Sequence, residues 1–185
     1  MKKRSKVKDQ MRQRSLAIDE RSLFEKLCDQ INLAAGFKAV KKNGGSPGTD
    51  DVTVDDFSNC LDEELAQLKK DIESWSYKPK PVRRVEIPKP GKGAGVRLLG
   101  VPCVRDRVVQ ATLKLLLEPI LDLTFSDHSY GFRPGFNQQQ AVKSAQRIVK
   151  SGKEYVVDID LSKFLEPSSY CTSFHEMFKF SEELY

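Results

Sequence analysis

Residues that build covalent or metal frameworks are scarce in this chain. The four cysteines, Cys28, Cys60, Cys103 and Cys171, stand far apart and form no C-x-x-C pair. That excludes a disulfide scaffold, and with only His128 and His175 as imidazoles, at no ligand spacing, it argues against a zinc site. No apolar run approaches the ~20 residues a bilayer span needs. The start, Met1-Lys2-Lys3-Arg4, leads into polar sequence where a signal peptide would have an apolar core. The chain therefore reads as cytoplasmic, with no membrane contact. What is present suffices for one core, or one domain and the start of another: 185 residues, 39% hydrophobic and 31% charged.

The net charge of +5 is unevenly placed. Seven Lys and Arg face one Asp in residues 1 to 14. In residues 78 to 107, nine basic residues face only Glu86 and Asp106, whereas Asp50 to Glu73 carries nine carboxylates and two lysines. Such polarity suits a molecule that holds a polyanion on one face and turns an acidic face to water. The basic start is equally consistent with a solvated tail.

Ser22 to Asn43 reads as one helix, with Leu23, Leu27, Ile31 and Ala39 on its apolar stripe, stopped by Asn43-Gly44-Gly45-Ser46-Pro47-Gly48. Val54, Phe57, Leu61, Leu65, Leu68 and Ile72 mark a second amphipathic helix, capped by Thr53 with Asp56. From Lys78 the period changes. Val82 to Ile87 and Val96 to Gly100 form the strands of a hairpin around a glycine-rich turn of about eight residues, too long for a tight loop. A helix from Val104 to about Leu117 ends near Pro119, and Thr124 to Phe136 is a structured loop. A last helix runs from its cap Asn137 to Lys150, closed by Gly152, before a strand over residues 154 to 161.

Two features carry chemistry. In Tyr155-Val156-Val157-Asp158-Ile159-Asp160-Leu161, alternation puts both aspartates on one strand face, ~7 Å apart, where one can ligate a divalent ion. An ordinary edge strand with a polar face gives the same pattern. In the hairpin, Lys89 and Arg97 flank the flexible turn, a point-charge donor and a forked donor suited to a triphosphate. A general nucleic-acid contact or a soluble turn is the plainer reading of a basic hairpin.

Six ordered strings resemble the first blocks of bacterial group II intron-encoded reverse transcriptases and maturases. They are Pro81-Val82-Arg83-Arg84-Val85-Glu86-Ile87-Pro88-Lys89-Pro90, Arg97-Leu98-Leu99-Gly100-Val101-Pro102, Asp106-Arg107-Val108-Val109-Gln110, Leu117-Glu118-Pro119-Ile120, Ser129-Tyr130-Gly131-Phe132-Arg133-Pro134-Gly135 and Val156-Val157-Asp158-Ile159-Asp160-Leu161. The cluster ending at Asp51 also resembles the family's G-x-D-G turn, with Asp51 in place of its last glycine.

The resemblance implies an α+β right-hand polymerase: a basic tail over 1–20, fingers over 21–153 and the start of the palm over 154–164. It implies an RNA-directed DNA polymerase that uses Mg²⁺, dNTP, a DNA primer and group II intron RNA or another RNA template. Asp160 is then the catalytic metal ligand, with Asp158 a further candidate. Lys89 and Arg97 clamp the triphosphate, and Arg133 supports the template or nucleotide pocket. Arg83, Arg84, Arg105 and Arg107 grip the RNA backbone. The chemistry implied is attack of a primer 3′-hydroxyl on the α-phosphate.

The pattern departs from the family after the aspartate. Leu165 stands where members carry the aromatic that excludes a ribose 2′-hydroxyl, and no Tyr-x-Asp-Asp hairpin follows. The expectation is a truncated chain, its residues 165–185 a divergent or frameshifted tail, inactive alone because two-metal chemistry needs carboxylates from two strands. A non-catalytic RNA-binding fragment and an inert gene remnant are the competing readings.

Overall fold

Four of the six described helices begin where a short polar side chain, Ser22, Asp29, Thr53 or Asn137, replaces a missing backbone partner of the first turn. In the computed structural model, which describes residues 21–91, 95–153 and 155–159, Ser22 and Glu25 form a capping box at the start of α1, Leu23–Cys28. Asp29 then interrupts the single helix expected over 22–43. Its backbone is extended, and its carboxylate accepts the Ile31 N–H at 2.9 Å, which starts α2, Gln30–Asn43, as a separate helix. The break rotates Ile31 out of the apolar stripe, so it is exposed. Gly44, at φ 63°, ends α2.

Thr53 and Asp56 cap α3, Val54–Asn59, as the sequence predicts. A one-residue break at Cys60 separates it from α4, Leu61–Glu73. The predicted stripe survives the break: Val54, Phe57, Leu65, Leu68 and Ile72 are all buried. Strand β1, Arg83–Pro88, pairs antiparallel with β2, Val96–Val101, in the register Arg83↔Val101 to Pro88↔Val96. Helix α5, Val104–Leu121, runs through Pro119 instead of ending there. Proline's φ is helical, and its missing N–H removes one bond without stopping the final turn. Asn137 caps α6, Gln138–Lys150, as expected, and Gln140 completes a capping box.

The chain divides into two units, and the described parts are residues 21–117 of one and 118–159 of the other. The core belongs to the first. Leu27, Leu33, Leu65, Leu68, Val104, Val108 and Val109 are fully buried there, and Phe37 stacks on Phe57 at 5.4 Å between centroids. Helices α2 and α5 touch where Gly36 faces Thr112: a Cβ on Gly36 would lie 2.1 Å from Thr112 Oγ1. Removing the side chain is what lets the two backbones approach this closely.

The architecture among the described residues is mixed, helices with one two-stranded sheet, consistent with the expected α+β class. The strand predicted over 154–161 is absent from its described part: residues 155–159 have no regular structure, and Tyr155, Val156, Val157 and Ile159 are exposed. A strand requires a hydrogen-bonded neighbour, and no described segment pairs with this one. Helix α6 buries only Ser144 and leaves Val142, Ile148 and Val149 exposed. No helix among the described residues is long and apolar enough to cross a membrane.

Candidate nucleotide and nucleic-acid interface

The hairpin owes its shape to Pro88, Pro90 and Gly91, which interrupt two β-rich runs. Pairing continues one residue past β1, since the Lys89 N–H donates to the Gly95 carbonyl at 3.0 Å. In this register Arg97 lies opposite Ile87, so Lys89 and Arg97 are diagonal neighbours on the same face, with attachment points ~7–8 Å apart. Both side chains are exposed and neither has an ion-pair partner among the described residues. A shared face is what the expected triphosphate clamp requires of these two cations. Arg84 is exposed on the opposite face, beside Glu86.

The other arginines expected on RNA have partners within the chain, Arg83 at the surface and Arg105 and Arg107 half-buried. Arg83 pairs with Asp51 and Arg105 with Asp71. Arg107 donates to the Ser46 carbonyl at 2.8 Å and to the Gly44 carbonyl at 3.3 Å, which ties the glycine turn to the start of α5. Lys80 pairs with Asp50 at 3.1 Å. The acidic stretch and the basic segment therefore interleave, contrary to the expectation of two opposed charged faces. The Arg105 guanidinium, with Gln67, holds the Asp71 carboxyl below the usual carboxylate range. Asp50 is also lowered, burial working against it while its hydrogen bonds to Lys80 and Cys103 prevail.

Between these arginines lies Asp106, a residue sequence reasoning gave no role. It is buried, and its carboxylate accepts the Tyr77 hydroxyl at 2.6 Å and the Lys80 N–H at 3.0 Å. Burial, with the neighbouring carboxylate second, pushes the Tyr77 hydroxyl far above its ordinary value. The signal in the sequence is a lone acid within a basic run that opens a helix, where a carboxylate also favours the helix N-terminus.

Arg133, expected to support the template or nucleotide pocket, is tied into its own loop. Its guanidinium is buried, donating to Asp122 Oδ1 at 2.6 Å, to the Asp122 carbonyl at 3.2 Å and to the Ser126 and Ser129 carbonyls at 2.7 and 2.9 Å. It lies over the Phe136 ring at 4.3 Å and the Phe125 ring at 5.4 Å. These contacts make Arg133 the fastener of the 122–136 loop.

Asp158 is exposed, and Asp160 and Leu165 lie outside the described residues. Among the described residues no three His, Cys, Asp or Glu side chains gather as ligands for an ion. Asp158 alone fits no divalent metal, which needs several oxygen ligands, and no step through Mg²⁺ is derived from this geometry.

No family model matches the chain. Similar curated proteins do exist. The group II intron-encoded protein LtrA of Lactococcus lactis subsp. cremoris is 33% identical over 106 residues, covering 57% of this chain and 17% of that protein. The nuclear intron maturase 1, mitochondrial, of Arabidopsis thaliana is 35% identical over 65 residues, 35% of this chain and 9% of the relative. The chain is related to the group II intron-encoded proteins. Protein YkfC of Escherichia coli K12 is 34% identical over 137 residues, 72% of this chain. The match spans about a third of YkfC, 35% of its length, and 17% of LtrA.

Proposed function

We propose that the chain is the fingers region and the beginning of the palm of a group II intron-encoded reverse transcriptase, and that it binds RNA template and incoming dNTP. The observation that carries this reading is the hairpin register, which puts Lys89 and Arg97 on one face with no ion-pair partner among the described residues, while Arg83, Arg105, Arg107 and Arg133 each have a partner within the chain. The relatives named for intron-encoded proteins and a maturase support the same reading.

In the proposed reaction, a primer 3′-hydroxyl attacks the α-phosphate of the dNTP and pyrophosphate leaves. Lys89 and Arg97 hold the triphosphate and offset its charge, and Arg84 is the one arginine of the expected RNA set that remains open to a backbone. Mg²⁺ held by Asp160, with Asp158 beside it, belongs to this proposal on the resemblance alone.

The test is binding of a fluorescent dNTP to the 185-residue chain. Lys89→Gln and Arg97→Gln are each expected to weaken it about tenfold, the worth of one charge-assisted hydrogen bond, with unchanged melting temperature. Parental affinity in both variants overturns the clamp. Primer extension by the same 185 residues is expected to yield no incorporation, because they contain the aspartate string Val156 to Leu161 but no Tyr-x-Asp-Asp string, and two-metal chemistry needs carboxylates from both. Incorporation that Asp160→Ala abolishes would overturn that expectation.

A further inference from the structure

Phe132 stands out for what it does not touch. The side chain is fully exposed, at 106% relative accessibility, and its backbone is left-handed at φ 52°, a conformation that L residues other than Asn and Asp adopt at a steric cost. Neither exposure nor strain is repaid by packing within the described residues. The loop that carries Phe132 is nonetheless well fixed. The four hydrogen bonds of Arg133, next in sequence, and the flanking Phe125 and Phe136 rings hold the backbone on either side. A rigid loop that projects a bare aromatic ring offers a π-face at little ordering cost, which is how proteins stack unpaired bases.

The charge of the same unit suits a nucleic acid. Helix α6 follows the loop directly, and its charged residues are Lys143, Arg147 and Lys150, with no acid. Steps of four and three put them on one helix face, and all three are exposed. The loop's Asp122 is already paired with Arg133.

We propose that Phe132 is a stacking platform for an unpaired base of single-stranded RNA, and that Lys143, Arg147 and Lys150 take phosphates of that strand. This rests on the RNA-binding reading above and adds a contact outside the hairpin. The occupant follows from the combination of an exposed ring with a helix face whose charges are all cationic; the exposed Val142, Ile148 and Val149 lie off that face by helical spacing.

Fluorescence anisotropy with a labelled oligouridylate tests it, using the 185-residue chain. Phe132→Ala is expected to weaken binding about fivefold or more, and Phe132→Trp to stay within about twofold of the parent, as stacking requires. The slope of affinity against salt should not change in Phe132→Ala, since no phosphate contact is lost. An abasic strand of equal length should bind the parent and Phe132→Ala alike. Replacing Lys143, Arg147 and Lys150 together by Gln should reduce the salt slope by about two, at roughly 0.7 per phosphate contact on a single strand. Parental affinity for Phe132→Ala overturns the platform and assigns the ring to a protein contact; an equal loss on the abasic strand overturns it as well. An unchanged slope in the triple variant overturns the role of α6. Failure of the parent to bind any RNA sinks the RNA-binding reading and this inference together.

Discussion

Asp106 shows how one side chain can organise its surroundings. It satisfies the Tyr77 hydroxyl and the Lys80 N–H while occupying the first turn of α5. Asp106→Ala removes the shared acceptor of a half-buried hydroxyl and a backbone N–H, and about 3 kcal/mol of stability is expected to go, measured by urea unfolding. Asp106→Asn keeps one acceptor and should cost less. Asp51 makes a finer case. It adopts φ 56° at the position where the resembled G-x-D-G turn ends in glycine, and the geometry explains why glycine is used there. Asp51→Ala is expected to lose about 1 kcal/mol, because alanine tolerates the left-handed region less well and the Arg83 pair is gone. Asp51→Gly should stay within about 0.5 kcal/mol of the parent, the relief of strain offsetting the lost surface pair. Thermal melts of the two variants decide this.

Elements were legible where a local signal sets them. The capping box at Thr53, the cap at Asn137 and the long-turn hairpin follow from residues close in sequence, and the structure bears them out. The breaks at Asp29 and Cys60 escaped because an apolar stripe continues across a one-residue interruption with little loss of phase. Pro119 misled in the opposite direction, since it disfavours a helix without forbidding its last turn. The strand expected at 154–161 depends on a partner, which alternation within one segment cannot supply. Contact between α2 and α5 was equally hidden, because Gly36 in a helix reads as a weakness until Thr112 is seen against it. Gly36→Ala is expected to destabilise by about 2 kcal/mol through overpacking. Combining it with Thr112→Ala should recover part of that loss, so the double-mutant cycle reads a non-zero coupling. Additivity would show that the helices do not meet there.

For the whole molecule, the sequence allows charges to be counted but not paired. Nine carboxylates before the basic segment look like a separate face; in the fold three of them, Asp50, Asp51 and Asp71, pair with Lys80, Arg83 and Arg105. The candidate site was therefore only partly readable: Lys89 and Arg97 share a face, while most of the arginines expected on RNA are structural. Asp71 and Asp50 have folded-state acidities below their ordinary carboxyl values, so the folded chain binds fewer protons than the unfolded one. The stabilisation this gives is complete above about pH 4, the unfolded aspartate value, and is lost as the pH falls through the lower folded values. Asp71→Asn should thus melt lower than the parent at pH 7 and show a shallower fall in melting temperature below about pH 4. Amide hydrogen exchange should be slowest in α2 and the first half of α5, which line the core, and fastest in α6, which buries one side chain.

The hairpin leaves the fold at Val101 and, two residues on, reaches the turn of α5 that carries Arg105, Asp106 and Arg107. It is a cantilever: bolted at the root and, among the described residues, exposed along most of the blade. Load placed on Lys89 and Arg97 is carried back to that mount, so residues 90–95 can be exchanged for turns of other length with little change in melting temperature. Grip and stability can then be tuned as separate properties.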